Sequence, residues 1–536
     1  MRASQRCIDP ACAAQYSVGE ALVACRRCGA LLDVVYQWPT PPARGLESFS
    51  IGQRVGYPVG GGQPGAAGGG SVPSAGDEHL DGSGVWRFRA LLPFYEDPAS
   101  VVSIGEGRTV LQRADLLADQ LGLARGALHL QYEGLNPSGS FKDNGMTAAF
   151  THARMVGARV VACASTGNTS ASMAVYAAQS GAGGQAMRAV IFIGQGKVAY
   201  GKLSQALDYG ALTLQVAGDF DACLARVRFI AQHVPEAGVY LMNSVNPFRL
   251  EGQKAVMYRV MEGLGWRVPD WVIVPGGNLG NCSAFGKAFM ELGALGLTDR
   301  VPRLAVINAQ GAATLDRVYN GVGLGACRWN NGAYFHDGGA ARVAAEYARM
   351  DAAGERARTI ATAIEINRPV NLPKALRALE VMSGQGTAAF DPANPGGVVR
   401  RVDDDAVRHF KAMVGRYGFG CEPASAASVA GAALLRAQGL IKPEHTVVCV
   451  LTGHALKDPD VTVSYHTGVD AKAAQQALPD PAAWPEDQRG QWANPPVRVP
   501  DRLGAILRAM GVEMSDAQIA QAEQSARQAA PMGKDS

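Results

Sequence analysis

Lys142 ends the turn-like stretch Asn136-Pro137-Ser138-Gly139-Ser140-Phe141 and opens an amphipathic run, Asn144 to Val156. The strand-like Leu128-His129-Leu130-Gln131-Tyr132 leads into it. Backbone amides at a helix N-terminus carry partial positive charge and disfavour a cation beside them. Partial burial acts in the same direction. A neutral amine is the form that adds to an aldehyde, so Lys142 is a candidate Schiff-base lysine. Most lysines are solvated surface groups. The assignment therefore depends on partners elsewhere in the chain.

Four segments at strand-to-helix junctions supply such partners. Open α/β sheets bind ligands at these places. Ser165-Thr166-Gly167-Asn168-Thr169-Ser170 follows an apolar run and offers hydroxyls and amides suited to a carboxylate or phosphate, or simply an N-cap. Pro275-Gly276-Gly277-Asn278-Leu279-Gly280-Asn281 follows Val272-Ile273-Val274. Its glycines let consecutive amides cup a dianion. The glycine spacing is not that of a dinucleotide site, and the Lys-Ser/Thr of a nucleotide P-loop is absent. Asn243-Ser244-Val245-Asn246-Pro247-Phe248-Arg249-Leu250-Glu251 offers a guanidinium fork for an oxyanion with short polar donors nearby. The plain alternative pairs Arg249 with Glu251. Thr452-Gly453-His454 follows a final apolar strand, and the Thr452 hydroxyl suits a ring nitrogen because it donates or accepts without adding charge.

One cofactor has five needs that these segments meet. Pyridoxal phosphate requires an amine (Lys142), a phosphate cup (Gly276, Gly277, Asn278, Leu279, Gly280, Asn281) and a partner for the ring hydroxyl (Asn168). It also requires a partner for the ring nitrogen (Thr452) and a loop for the substrate carboxylate (Ser165 to Thr169).

Cys7 and Cys12, then Cys25-Arg26-Arg27-Cys28-Gly29, form two pairs separated by a hairpin-sized segment. Four thiolates so spaced fit a structural zinc. The alternative is a ribbon that holds its shape without metal. Six further cysteines (Cys163, Cys223, Cys282, Cys327, Cys421, Cys449) lie in apolar segments and read as buried free thiols of a reducing cytoplasm.

The elements that must position these groups alternate. Strands are expected at 160–164, 189–193, 212–216, 271–274, 304–308 and 447–451. Helices are expected at 170–179, 200–209 and 220–232. Apolar strands alternating with helices predict mostly parallel sheets covered on both faces. Residues 60–84 are rich in Gly, Pro and Ser and read as a loop or linker. So does 384–402, whereas 320–358 reads as an insertion. The tail beyond 475 holds helical patterns at 502–510 and 516–528. The expected organisation is a zinc-ribbon-like segment (1–40), a linker (41–100), a core of two interleaved α/β domains (101–470) and a C-terminal extension (471–536).

A length of 536 residues allows two or three domains, and 47% hydrophobic with 18% charged residues is ordinary for a globular enzyme. A net charge of +3 without a basic stripe gives no sign of nucleic acid binding. The longest apolar stretch, Ala424 to Leu435, is too short to span a membrane. No secretory signal pattern opens the chain. A cytoplasmic enzyme is the expectation.

The wording of several motifs resembles the threonine synthase family, within the fold type II pyridoxal-phosphate enzymes that include the tryptophan synthase β chain. The resemblance runs from about Ile104 to Asp458. It rests on Asn136–Asp143, Ser165–Thr169, Gly277–Asn281, Cys421-Glu422-Pro423-Ala424-Ser425 and Thr452-Gly453-His454. Most specific is Asn243-Ser244-x-Asn246-Pro247-x-Arg249-Leu250-Glu251-Gly252-Gln253-Lys254. Asn144 departs from it, standing where relatives commonly carry Arg.

The resemblance implies an α/β fold of two parallel-sheet domains with a zinc-ribbon-like N-terminal segment. It implies conversion of O-phosphohomoserine and water to threonine and phosphate, with Lys142 holding the cofactor. Arg249, Asn243 and Ser244 would bind the substrate phosphate, and Ser165, Thr166 and Thr169 the carboxylate. Thr452 would leave the ring nitrogen unprotonated. A homodimer is compatible with it. The rival readings are a synthase acting on O-phosphoserine, a serine/threonine dehydratase, and a catalytically silent protein on the same scaffold.

Overall fold

The computed structural model describes residues 2–38, 45–49, 78–165, 167–181, 186–194, 200–217, 220–324, 333–336, 338–384, 396–476 and 484–529. Most of the Gly-rich stretch, Thr166, Cys327 and most of the 384–402 loop lie outside them. Met1–Pro459 forms one compact unit and Asp460–Ser536 a second.

The first unit contains three sheets. An antiparallel ribbon has the order β2-β1-β3 (β1 Arg2–Cys7, β2 Gln15–Ser17, β3 Leu32–Gln37). A six-stranded sheet has the order β12-β11-β10-β13-β5-β4. Its strands are β4 Val110–Arg113, β5 Leu128–Tyr132, β10 Trp271–Pro275, β11 Arg303–Ala309, β12 Val398–Val402 and β13 Val447–Leu451. All its pairs are parallel except β4 with β5. A four-stranded parallel sheet has the order β8-β7-β6-β9 (β6 Val160–Ala164, β7 Arg188–Gly194, β8 Leu212–Val216, β9 Val239–Leu241). It is inserted in the chain between β5 and β10 of the larger sheet.

This is the expected architecture. The central strands β10 and β13 are buried throughout, which is why they read as unbroken apolar runs. β12 falls where the sequence predicts a loop. Pro395, Gly396 and Gly397 punctuate its approach, and Val-Val-Arg-Arg-Val at a sheet edge carries too few apolar residues to stand out.

Helices of seven or more residues are numbered α1 to α14. α1 is Asp115–Leu121, α2 Lys142–Met155, α3 Asn168–Ser180 and α4 Tyr200–Asp208. α5 is Phe220–His233, α6 Pro247–Gly263, α7 Gly280–Ala294 and α8 Gly339–Ala352. α9 is Leu372–Val381, α10 Asp404–Arg416, α11 Pro423–Ala437 and α12 Pro459–Thr467. α13 (Leu503–Ala509) and α14 (Asp516–Ala529) belong to the second unit. There the Tyr465 hydroxyl accepts from the Trp492 amide at 3.3 Å.

α2 is not amphipathic as expected. Asp143 to Ala153 are all buried, because the helix is enclosed on every side. Its closest neighbour is α6, and two glycines permit the approach. A Cβ on Gly252 would lie 1.8 Å from the Asn144 carbonyl oxygen, and one on Gly145 would lie 2.7 Å from that of Arg249. The two backbones touch where side chains would hold them apart. Gly252→Ala is expected to lower stability by about 1–3 kcal/mol, because the obstructing atoms are backbone. Gly415→Ala, where an added Cβ meets nothing within 4 Å, is the control and is expected to be neutral or mildly stabilising. Denaturant midpoints of the full chain measure both.

Candidate active site

Lys142 is the first residue of α2, and the turn before it is tied down at both ends. The Ser138 amide and hydroxyl both donate to Asp143, each at 2.6 Å. Gly139 sits at φ +81°, the left-handed region that favours glycine. The Phe141 amide donates to the Thr452 carbonyl at 2.9 Å, and the His454 amide to the Gly139 carbonyl at 2.9 Å. The lysine turn is thereby stitched to the end of β13, where Thr452 lies.

The Lys142 amine makes no hydrogen bond or ion pair among the described residues. It lies 4.3 Å from the centroid of the Phe141 ring. Burial, then the nearby Arg249 and Lys202 cations, push it from the ordinary 10.5 down to about 7, against the pull of Glu422. At neutral pH a large share of it is therefore the nucleophilic free amine.

The glycine loop runs from β10 into α7. A Cβ on Gly276 would lie 2.6 Å from Asn308 Nδ2, and one on Gly280 would lie 3.1 Å from Gln253 Oε1. Leu279 adopts φ +64°. The amides of Gly277, Asn278, Leu279, Gly280 and Asn281 donate to no group among the described residues. Five consecutive free amides at the start of a fifteen-residue helix form an anion cup. The Asn278 carbonyl accepts from the Asn371 amide at 3.3 Å, which braces the cup from below.

Asn168, the first residue of α3, donates through Nδ2 to both Glu422 carboxylate oxygens at 3.0 and 2.9 Å. Its Oδ1 is buried and has no partner among the described residues. Thr452 Oγ1 lies 3.0 Å from Ser425 Oγ and 3.3 Å from Glu422 Oε1. Lys202, fully buried on α4, donates to Asp458 at 2.6 Å and Thr362 at 2.9 Å, with Glu422 at 3.5 Å. Burial opposes its charge, but the Glu422 and Asp458 carboxylates outweigh it and raise its pKa. Glu422, Lys202, Ser425 and Asp458 were not expected site residues. Lys202 is one lysine on an ordinary helix in the sequence, and only the fold reveals its burial.

Arg249 is buried on α6. Its Nη1 donates to the Met242 carbonyl at 2.8 Å, while Nε and Nη2 are buried without a partner among the described residues. Burial pushes the guanidinium down to about 10. Glu251 does not pair with it, but with Lys254 at 2.7 Å and Lys287 at 2.5 Å. A buried cation with two idle donors is costly unless an anion arrives. Asn246 caps this helix by accepting from the Phe248 amide at 3.0 Å.

Asn243 is placed differently from the expected anion donor. Its Oδ1 accepts from the Ala164 amide at 3.0 Å and its Nδ2 donates to the Ala164 carbonyl at 2.9 Å. The side chain thus extends the β6 edge. Ser244 is buried, and its carbonyl accepts from Asn371 Nδ2 at 3.0 Å. Ser165 Oγ accepts from the Gly167 amide at 3.1 Å, and Thr169 is half-buried. Asn144 donates to Glu133 at 2.6 Å, and the guanidinium beside that pair comes from Arg259 of α6. The sulfurs of Cys7, Cys12, Cys25 and Cys28 all lie within 4.8 Å of one another in the ribbon.

A family model described as pyridoxal-phosphate dependent enzyme matches residues 102–453, and the chain belongs to that family. It is 36% identical over 459 residues to the threonine synthase of Methanocaldococcus jannaschii, covering 86% of this chain and 94% of that one. It is 39% identical over 378 residues to the threonine synthase of Mycobacterium tuberculosis, covering 70% and 89%. The solved threonine synthase of Escherichia coli shares the fold, with a TM-score of 0.55 over 95% of this chain and 99% of that one at 18% identity. Within its family the chain stands with the threonine synthases. The residues present fit pyridoxal phosphate: a free amine, five idle amides at a helix N-terminus, and the orphaned Asn168 Oδ1.

The amine's lowered pKa sets the pH dependence of cofactor capture. Below about 7 Lys142 is charged and does not add to an aldehyde, and above it the amine is free. The rate at which apo-protein takes up pyridoxal phosphate, followed by the bound cofactor's absorbance, is expected to rise through a midpoint near 7. A midpoint near the ordinary lysine value would contradict the site's electrostatics.

Proposed function

We propose that this chain converts O-phosphohomoserine and water into threonine and phosphate, as a carbon–oxygen lyase acting on a phosphorylated amino acid. The observation that carries this reading is Arg249: a buried guanidinium, two of its nitrogens idle, near enough for its charge to act on the Lys142 amine. Such a group calls for a second anion besides the one the glycine cup takes. Pyridoxal phosphate, held by Lys142, the Gly277–Asn281 amides, Asn168 and Thr452, supplies a sink for the electron pair that develops at the substrate Cα.

The protein's own residues do the rest. The amides that open α3, with Ser165 and Thr169, hold the amino-acid carboxylate. Arg249 binds the substrate phosphate and stabilises the charge that grows on it as the Cγ–O bond breaks. Ser244 is buried two residues after Met242, whose carbonyl holds Arg249 Nη1, and Asn243 acts by positioning, holding the chain after β9 against the end of β6. The Lys142 amine takes the Cα proton and moves protons along the chain, a task suited by a pKa near the working pH. At the end Cγ has lost phosphate and gained a proton, Cβ has given up one proton and gained the hydroxyl of water, Cα has its proton back, and the water's remaining proton leaves with the phosphate. Among the described residues no helix is long and apolar enough to cross a membrane, in keeping with a cytoplasmic enzyme.

Arg249→Gln is expected to lower kcat/KM for O-phosphohomoserine about a hundredfold or more while the cofactor absorbance persists. Lys142→Ala should lose covalent cofactor and phosphate release together. Phosphate release with threonine quantified is the assay. Turnover of serine or O-phosphoserine in place of O-phosphohomoserine, with Arg249→Gln unaffected, would sink the reading.

A further inference from the structure

The N-terminal ribbon has very little with which to hold itself together. Its own buried cluster consists of Cys7, Cys25 and Leu32. Ile8 and Val34, buried on the same ribbon, join the core of the larger unit instead, and a cluster as small as the cysteine end ordinarily needs a metal or disulfides. Two tight loops bring its four cysteines together. In the first, the Cys7 amide donates to the Ala14 carbonyl at 2.8 Å, closing the loop that carries Cys12. In the second, the Gly29 amide donates to the Cys25 carbonyl at 2.8 Å, with Gly29 at φ +77°. Cys7 Sγ lies 3.4 Å from Cys28 Sγ, and Cys12 Sγ lies 3.6 Å from Cys25 Sγ. Zinc–sulfur bonds of about 2.3 Å in a tetrahedron place sulfurs about 3.8 Å apart. The four sulfurs thus already stand near the spacing a zinc ion imposes.

The ribbon's opposite side is fastened to α6, which carries Arg249, and to α9, which starts beside the glycine cup. Asp33 on β3 receives Lys374 at 2.9 Å and Arg377 at 2.6 Å, both from α9. Lys374 also donates to the Leu32 carbonyl at 2.7 Å. Tyr36 donates to Glu251 at 2.6 Å, two residues from Arg249 on α6. α9 begins directly after Asn371, which holds both the Asn278 carbonyl of the cup and the Ser244 carbonyl.

We propose that Cys7, Cys12, Cys25 and Cys28 bind one zinc ion with no open coordination position, and that the metal-held ribbon braces α6 and α9 beneath the two anion sites. Binding replaces the thiol protons, which leave to solvent, and changes no oxidation state. A closed four-thiolate set has no place for a substrate or a water, so the role is structural. The metal half stands without the enzymatic reading. The importance of the brace for substrate binding rests on it.

The test uses the full chain purified without chelator. Elemental analysis is expected to give one zinc per chain, falling below about a tenth in a Cys12→Ser/Cys28→Ser double variant. Hydrogen exchange should then show lost protection in residues 32–37, 247–253 and 372–377. Should the double variant not fold, wild-type protein stripped with a mercurial and chelator gives the same reading. Asp33→Asn is expected to keep its zinc yet lose protection in 372–377. Absence of zinc, iron in its place, or two disulfides found by mass overturns the metal site. Zinc lost with α6 and α9 protection unchanged overturns the brace. Failure of wild-type protein to release phosphate from O-phosphohomoserine, with zinc and protection intact, refutes the functional reading and leaves this one standing.

Discussion

Two helices meet at backbone distance, and the site depends on that contact. α2 begins with Lys142 and α6 carries Arg249. Gly145 and Gly252 lie at their crossing, each facing the other helix's carbonyl oxygens. Neither helix can slide or lift without breaking this contact or opening a void between enclosed elements. The segment from Asn246 to Gln253 can be understood from this crossing. Asn246 starts the helix, Arg249 presents the guanidinium, Gly252 admits α2, and Gln253 stands between Gly145 and Gly280 at the mouth of the cup. One helical turn sets the amine, the anion fork and the phosphate cradle relative to one another.

The electrostatics follow from how counter-charges are shared. Lys202 has Asp458 and Glu422, and they keep it charged against burial. Lys457 is pushed by burial down to about 8. Lys142 has no carboxylate in contact among the described residues and two cations nearby, and it falls further, to about 7. Glu422 joins these effects. It accepts from Asn168 of the four-stranded sheet's α3, lies beside Thr452 of the six-stranded sheet, and faces Lys202. One buried carboxylate thereby fixes two groups assigned to the cofactor ring and favours charge on the neighbouring lysine.

The parts of this fold that the sequence reveals are those with a local signature. β6 and β13 were legible to the residue, because buried parallel strands are apolar runs bounded by turns. The cup and the lysine turn were legible because glycine at such positions answers a backbone demand. Edge strand β12 was not, since two of its five residues are arginines. The full enclosure of α2 was hidden too, because Asp143, Asn144, Thr147 and His152 look like a solvated face until their buried partners are known. Asn243 looked like a ligand donor, yet its amide completes a strand edge. Lys202 and Glu422 come together over 220 positions of sequence, and no local pattern carries that information.

The account's central claim is that the site holds two phosphates at once, one on the glycine cup and one on Arg249. A crystal structure of the cofactor-loaded protein with a phosphonate analogue of O-phosphohomoserine tests it most directly. The account predicts the cofactor on Lys142, its phosphate against the Gly277–Asn281 amides, and the phosphonate within hydrogen-bond reach of Arg249 Nε and Nη2. A phosphonate bound elsewhere, with those two nitrogens still idle, would contradict it.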